Sequence, residues 1–208
     1  ISVDPDGQTL ITVSPGANMK TGASQLRSLS RGDWLVLQME VPLEENWTVL
    51  RAAKAAGSRS ILNLAPAVPI DASVLGLLDV LVVNEVEAEM LAHHLAVPTS
   101  TYADIARSLA RDYSLTCIIT LGASGSLAAE PSGKLEHVSS IPVSVVDTTG
   151  AGDCFDAGFI YSWLNGDPPM RRLQSGNVCG ALSTQKLGGL EGFPALRQLQ
   201  TSLRKLPK

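Results

Sequence analysis

The chain has 208 residues, 45% of them apolar and 17% charged, with a net charge of −4. That is enough for one domain with a sizeable core. A mild negative charge without any Lys/Arg block argues against nucleic acid and anionic membranes as partners, and no apolar run approaches the roughly 18 residues of a membrane span.

No charged-then-apolar leader opens the chain, which starts at Ile1 in what reads as a strand region. Cys117, Cys154 and Cys179 are far apart with no C-x-x-C pair. They read as small buried hydrophobes in a reducing, cytoplasmic setting. His93 and His94 are adjacent and would point apart on a helix, and His137 stands alone, so no zinc site is expected.

In chain order, Thr9–Ser14 alternates apolar and polar residues as a half-exposed strand does. Asp33–Glu40 reads as a buried strand, and a helix follows from Pro42 to the stop at Gly57. Ser60–Pro66 is the next strand, and "LLDVLVVN" carries another that ends at Asn84. "EVEAEMLAHHL" and Tyr102–Tyr113 read as helices, and Thr116–Gly122 as a buried strand. "SLAAE" and "KLEHVS" flank "PSG" as a hairpin. Helices then run from about Ala151 to Leu164, from Met170 to Lys186, and near Ala195–Leu203. The alternation predicts a mostly parallel sheet with helices on both faces, in a single domain.

In open sheets of this kind the ligand sits beyond the carboxyl ends of the strands. Those places hold Glu40, Asn63, Asn84, Gly122–Ser126 and Asp147–Asp153, all polar or glycine-rich. The last is the most unusual, "DTTGAGD" running into a helical pattern. Gly150, Ala151 and Gly152 let backbone N–H groups approach a ligand. They lie where a helix begins, so free N–H groups and the positive dipole end form an anion cradle. Asp153 falls in the first turn, where a carboxylate is favoured as an anion and can accept a proton from a hydroxyl. A phosphate on the N–H groups and a hydroxyl on Asp153 would be the two ends of phosphoryl transfer. The competing view is that Asp147 and Thr148 only shape a turn and Asp153 only complements the dipole.

"DTTGAGD" resembles the C-terminal signature of the ribokinase (PfkB) family of sugar kinases. Val13–Asn18 "VSPGAN", Leu37–Pro42 "LQMEVP", Ile61–Ala67 "ILNLAPA", Val82–Leu91 "VVNEVEAEML" and Ile119–Ser126 "ITLGASGS" resemble family segments in the same order. "GAN" together with "QMEVP" is more similar to ribokinase proper than to adenosine kinase or fructokinase. The resemblance implies a ribokinase-like three-layer α/β/α sandwich with a mostly parallel central sheet. It also implies ATP-dependent phosphorylation of a primary hydroxyl on ribose or a related pentose, with ATP, Mg2+ and K+ as cofactors.

By that resemblance Asp153 matches the catalytic base, and Gly150, Ala151 and Gly152 the anion hole. Asn84 and Glu87 match an N-x-x-E motif that helps place magnesium and phosphates. Thr120, Gly122 and Gly125 match a segment along the ATP phosphates and ribose, and Asn177 a position near the adenine. Asp147 and Thr149 match ligands of the activating monovalent cation, and Glu40 a residue near the sugar. Each has a plainer reading. Asn84 with Glu87 is also a capping box. Gly122 and Gly125 also suit a strand-to-strand turn. Asn177 suits a satisfied mid-helix amide, and Glu40 a solvated strand end.

Against the family pattern, Leu64 stands where the N-P-A-P segment has proline, and "QKLGGLEGFP" replaces a Gly-Ala pair followed by Ser-x-Pro. The family's N-terminal strands, with the early Asp and Gly-Gly-x-x-x-N segments that hold the sugar, and most of its lid are expected to be missing from these residues. The chain is therefore expected to correspond to the C-terminal two thirds of the family. Residues 1–18 would be a remnant of the lid region and 19–208 the nucleotide-binding α/β core. Sheet edges normally paired would be bare, so homo-oligomerisation through those edges is expected. The alternative to a working kinase is an inactive fragment that binds a nucleotide or a partner.

Overall fold

The computed structural model describes residues 2–3, 9–10, 12–98 and 100–207. In chain order the elements are β1 (Ser2–Val3), β2 (Thr9–Leu10), β3 (Trp34–Leu37), α1 (Leu43–Ala56), β4 (Arg59–Asn63), α2 (Ala72–Leu75) and β5 (Val80–Asn84). Then follow α3 (Glu85–His94), α4 (Tyr102–Tyr113), β6 (Thr116–Thr120), β7 (Ser126–Ala129), β8 (Leu135–Val138), α5 (Ala151–Leu164), α6 (Pro169–Ser183) and α7 (Leu196–Leu203).

β3 to β8 form one six-stranded sheet in sequence order. β3, β4, β5 and β6 pair in parallel, and β7 and β8 close it as antiparallel strands. Parallel neighbours taken in sequence order, joined by right-handed crossovers, place every connecting helix on the same face. Residues of α1, α3 and α4 such as Leu50, Leu91 and Leu109 accordingly share one core with Leu62, Leu81 and Ile119. The other face is left for helices that follow the last strand. Phe155 and Phe159 of α5 and Leu173 of α6 pack there on Ile61, Val80, Val82 and Ile118. α7 adds Leu199 and Leu203 against Cys154 and Val178 on the outside of that layer. Because β5 is covered on both sides, Val80 and Val82 serve one core and Leu81 and Val83 the other, which is why its sequence is apolar without alternation. The fold is the expected mostly parallel α/β sandwich.

Three local expectations change. The strand expected over Thr9–Ser14 is a ladder only at Thr9–Leu10, paired with Ser2–Val3. Ile11 lies outside the described residues, and Thr12–Ser14 are irregular and exposed. The helix expected from Met170 to Lys186 ends at Ser183, after which Thr184 folds back into turns. α2 was not anticipated: four residues are too short for a helical period to register, although Asp71 caps it and Val74 and Leu75 are buried.

All three cysteines are free and buried, and burial pushes the Cys117 thiol up to about 12. That suits inert, packing cysteines. No described helix is long and apolar enough to cross a membrane. Among the described residues β3 pairs on one side only, with β4, and Val36 on it is 47% exposed.

Candidate active site

The carboxyl ends of β3, β4, β5 and β6 and the start of α5 converge. Gly150 caps α5 with φ +76°, a left-handed conformation that disfavours side chains, and a Cβ there would lie 2.9 Å from the Gly189 carbonyl oxygen. The turn is anchored from behind, since the N–H groups of Val146 and Asp147 donate to the Thr184 carbonyl at 2.7 and 3.1 Å. The Ala151 N–H donates to the Thr148 carbonyl at 3.1 Å, closing the turn. It is therefore not one of the open donors expected from sequence. Among the described residues no protein oxygen accepts from the N–H groups of Gly150, Gly152 and Asp153. A Cβ on Gly152 would meet nothing within 4 Å, so the space above these donors is open. Free N–H groups at the start of a 14-residue helix are the kind of donors that can receive an anion.

Asp153 is exposed at the mouth of this turn. Its Oδ1 accepts a hydrogen bond from Gln38 Nε2, at the end of β3, at 2.7 Å. Its other oxygen has no described partner and remains free to receive a proton. One helical turn further along, Asp156 is buried, with Oδ2 accepting from Asn63 Nδ2 at 2.7 Å. Burial pushes Asp156 up to about 7, helped by the charges of Asp153 and Glu87 and opposed by the Asn63 hydrogen bond.

Asn84 and Glu87 form the capping box. Asn84 Oδ1 accepts from the Glu87 N–H at 2.9 Å, and Glu87 Oε2 accepts from the Asn84 N–H at 2.8 Å. Glu87 is buried, and that burial raises its pKa against the lowering effect of the Asn84 N–H. The structural role is thus filled, at a strand end that also faces the site.

A cavity of about 560 Å3 opens beside the α5 turn, within the usual size of small-molecule sites. Thr120, Gly122 and Gly125 line one wall, Ile141, Pro142 and Val143 another, and Gly152, Phe155, Asn177 and Ala181 the α5–α6 side. Asn177 Nδ2 donates to the Val138 carbonyl at 2.8 Å, so the amide is satisfied and also faces the cavity. Gly125, at φ +96°, is crowded by the Val138 carbonyl, which makes its lack of a side chain a requirement of the wall itself. Thr120 Oγ1 donates to the Val83 carbonyl at 3.4 Å.

Asp147 accepts from the Thr149 N–H and the Gly188 N–H, both at 2.9 Å. Those bonds, the one from Gly188 foremost, hold its carboxyl below the usual carboxylate range. Glu40 is exposed and makes no described hydrogen bond, so the structure does not tie it to the rest of the cluster. β3 reaches Asp153 through Gln38 instead. Gln38 and Asp156 were not singled out from sequence, and Asn63 was noted only as a strand end. A signal existed for Asp156: apart from Asp153, it is the one carboxylate in the apolar helix "AGDCFDAGFIYSWL".

The pfkB family carbohydrate kinase profile matches residues 1–196. The chain is 32% identical over 205 residues to a ribokinase of Staphylococcus aureus, covering 96% of this chain and 67% of that protein. It is 31% identical over 214 residues to a mouse ribokinase, covering 98% and 65%. It thus spans about two thirds of the length of the curated relatives it matches. Among solved structures, ribokinase from Thermotoga maritima superposes with a TM-score of 0.86 at 30% identity, covering 98% of this chain and 68% of that one. Ribokinase from Arabidopsis thaliana, solved with ribose and ATP, gives 0.80 at 30% identity, covering 99% and 68%.

Proposed function

The chain belongs to the pfkB family of carbohydrate kinases, and we propose that it transfers the γ-phosphoryl group of ATP to a primary hydroxyl of ribose or a related pentose. One observation carries the reading: Asp153, with an unpartnered oxygen, stands in the same helical turn as the open N–H groups of Gly150 and Gly152, beside a ligand-sized cavity.

Asp153 is the general base. Its free oxygen takes the proton of the attacking hydroxyl, while Gln38 holds the carboxylate in one orientation. The N–H groups of Gly150 and Gly152 steady charge on the transferring phosphoryl group, and Ala151 closes the turn that presents them. Thr120, Gly122, Gly125 and Asn177 line the nucleotide cavity, whose apolar walls suit an aromatic base between polar anchors. Glu40 is placed with the sugar by resemblance alone.

The donors present fit the implied cations. Asn84 and Glu87 would help hold magnesium, whose chemistry there would be neutralisation of phosphate charge. Asp147, kept ionised by its N–H bonds, and Thr149 fit a hard monovalent cation such as potassium.

The test is Asp153→Asn, assayed for ATP-dependent ribose phosphorylation and, separately, for ATP–Mg2+ binding by calorimetry. Turnover is expected to fall by roughly 10²–10⁴-fold with ATP affinity nearly intact. Full activity in the variant overturns the base assignment. ATP binding without ribose binding by the parent chain would instead indicate a module that holds nucleotide alone. The side of β3 that pairs with nothing among the described residues supports one more reading, self-association through that edge.

A further inference from the structure

Asp156 is used by none of the steps above, yet it occupies an expensive position. It is 6% exposed, and its Oδ1 is buried with no hydrogen-bond partner among the described residues. Its one described bond comes from a neutral amide, Asn63 Nδ2 at 2.7 Å. A carboxylate with a bare buried oxygen is costly, and a carboxylic acid in the same place much less so. Among the described residues no cation compensates it. The charges acting on it are Asp153, three residues earlier on the same face of α5, and Glu87 at the start of α3. The strand residues in the adjoining core layer, Ile61 and Val82, are apolar. α6 packs on α5 with no charged residue between Leu173 and Ser183.

The acid lies four residues past Gly152, about 6 Å of helical rise from the open N–H groups. The positive end of α5 is the favourable field left to an anion here. Phosphates docked on those N–H groups would cancel that field, and ATP–Mg2+, still a net anion with its cation counted, would add negative charge through a low-dielectric interior. We propose that Asp156 takes one proton from solvent as the nucleotide's phosphates dock at the start of α5, so that a neutral acid stands beneath the loaded site. The proton goes to the carboxylate oxygen and no other bond changes. The protein is poised for this, because burial and its two acidic neighbours already bring Asp156 to about 7 in the free chain. The inference rests on the nucleotide reading proposed above.

The experiment is calorimetry of ATP–Mg2+ binding in buffers of different ionisation enthalpy, on the parent chain and on Asp156→Asn. At about pH 8 the parent should take up as much as one proton per nucleotide and the variant none. Above its midpoint the parent's Kd relative to the variant's should rise by up to about tenfold per pH unit. Carbon-13 titration of the aspartate carboxyls, without nucleotide and then with it, reads Asp156 directly even if the variant folds poorly. A midpoint in the ordinary carboxylate range overturns the proposal whatever the nucleotide does. Tight ATP binding with equal proton uptake in both proteins overturns it and leaves the kinase reading standing. Failure to bind ATP removes the kinase reading and this coupling together.

Discussion

Replacing Asp156 by Asn should change how stability depends on pH. The amide has the shape of the acid, and its oxygen can still accept from Asn63, so packing is preserved. What it removes is a proton equilibrium. The carboxyl moves from 3.8 to about 7 on folding, so between those values the folded chain holds a proton that the unfolded chain has lost. Stability from this group is therefore full in acid and falls as pH rises through about 7. Integrating from pH 5 to pH 8 gives a loss of roughly 2–3 kcal/mol in the parent and none in the variant. For a chain of this size that corresponds to roughly 5–10 °C in Tm. Urea unfolding at several pH values, followed by two probes to check two-state behaviour, measures the difference between the two proteins and cancels groups common to both. The variant should gain on its parent by about that amount towards alkaline pH. Parallel stability curves would refute the account of Asp156 as a buried, proton-bearing acid.

Gln38→Ala leaves Asp153 without its described donor, so turnover should drop roughly five- to tenfold, with ATP affinity measured by calorimetry unchanged. Gly158→Ala would place a Cβ 2.5 Å from the Ser175 carbonyl and 2.8 Å from Cys179 Sγ, forcing α5 and α6 apart. Thermal unfolding should show a loss of about 1–3 kcal/mol. Gly150→Ala meets both the left-handed backbone and the Gly189 carbonyl, so it should lose about 1–2 kcal/mol and weaken phosphate binding, read by ATP calorimetry. Sedimentation should show self-association that a lysine at Val36, on the open edge strand, reduces; a monomer at all concentrations would count against pairing through β3.

Most of the fold was readable because its signals are local. Apolar runs of strand length, Gly57 as a stop and the Asn84–Glu87 box each act within a few residues, and they placed β3 to β8 and the long helices within a few positions. "DTTGAGD" was readable for the same reason: its glycines, first-turn acid and helix start are neighbours in the chain. The failures are of two kinds. α2 is too brief for periodicity to register, and the alternation over Thr9–Ser14 overran the β2 ladder, which extends only as far as its partner does. The pairs Gln38–Asp153 and Asn63–Asp156 join residues 115 and 93 positions apart, and nothing local in either sequence neighbourhood announces the other. Residue type alone put an acid in the apolar helix α5. Whether that acid was solvated or entombed depended on the tertiary packing that brings Asn63 of β4 against it, and burial sets the charge of a carboxylate more than its identity does.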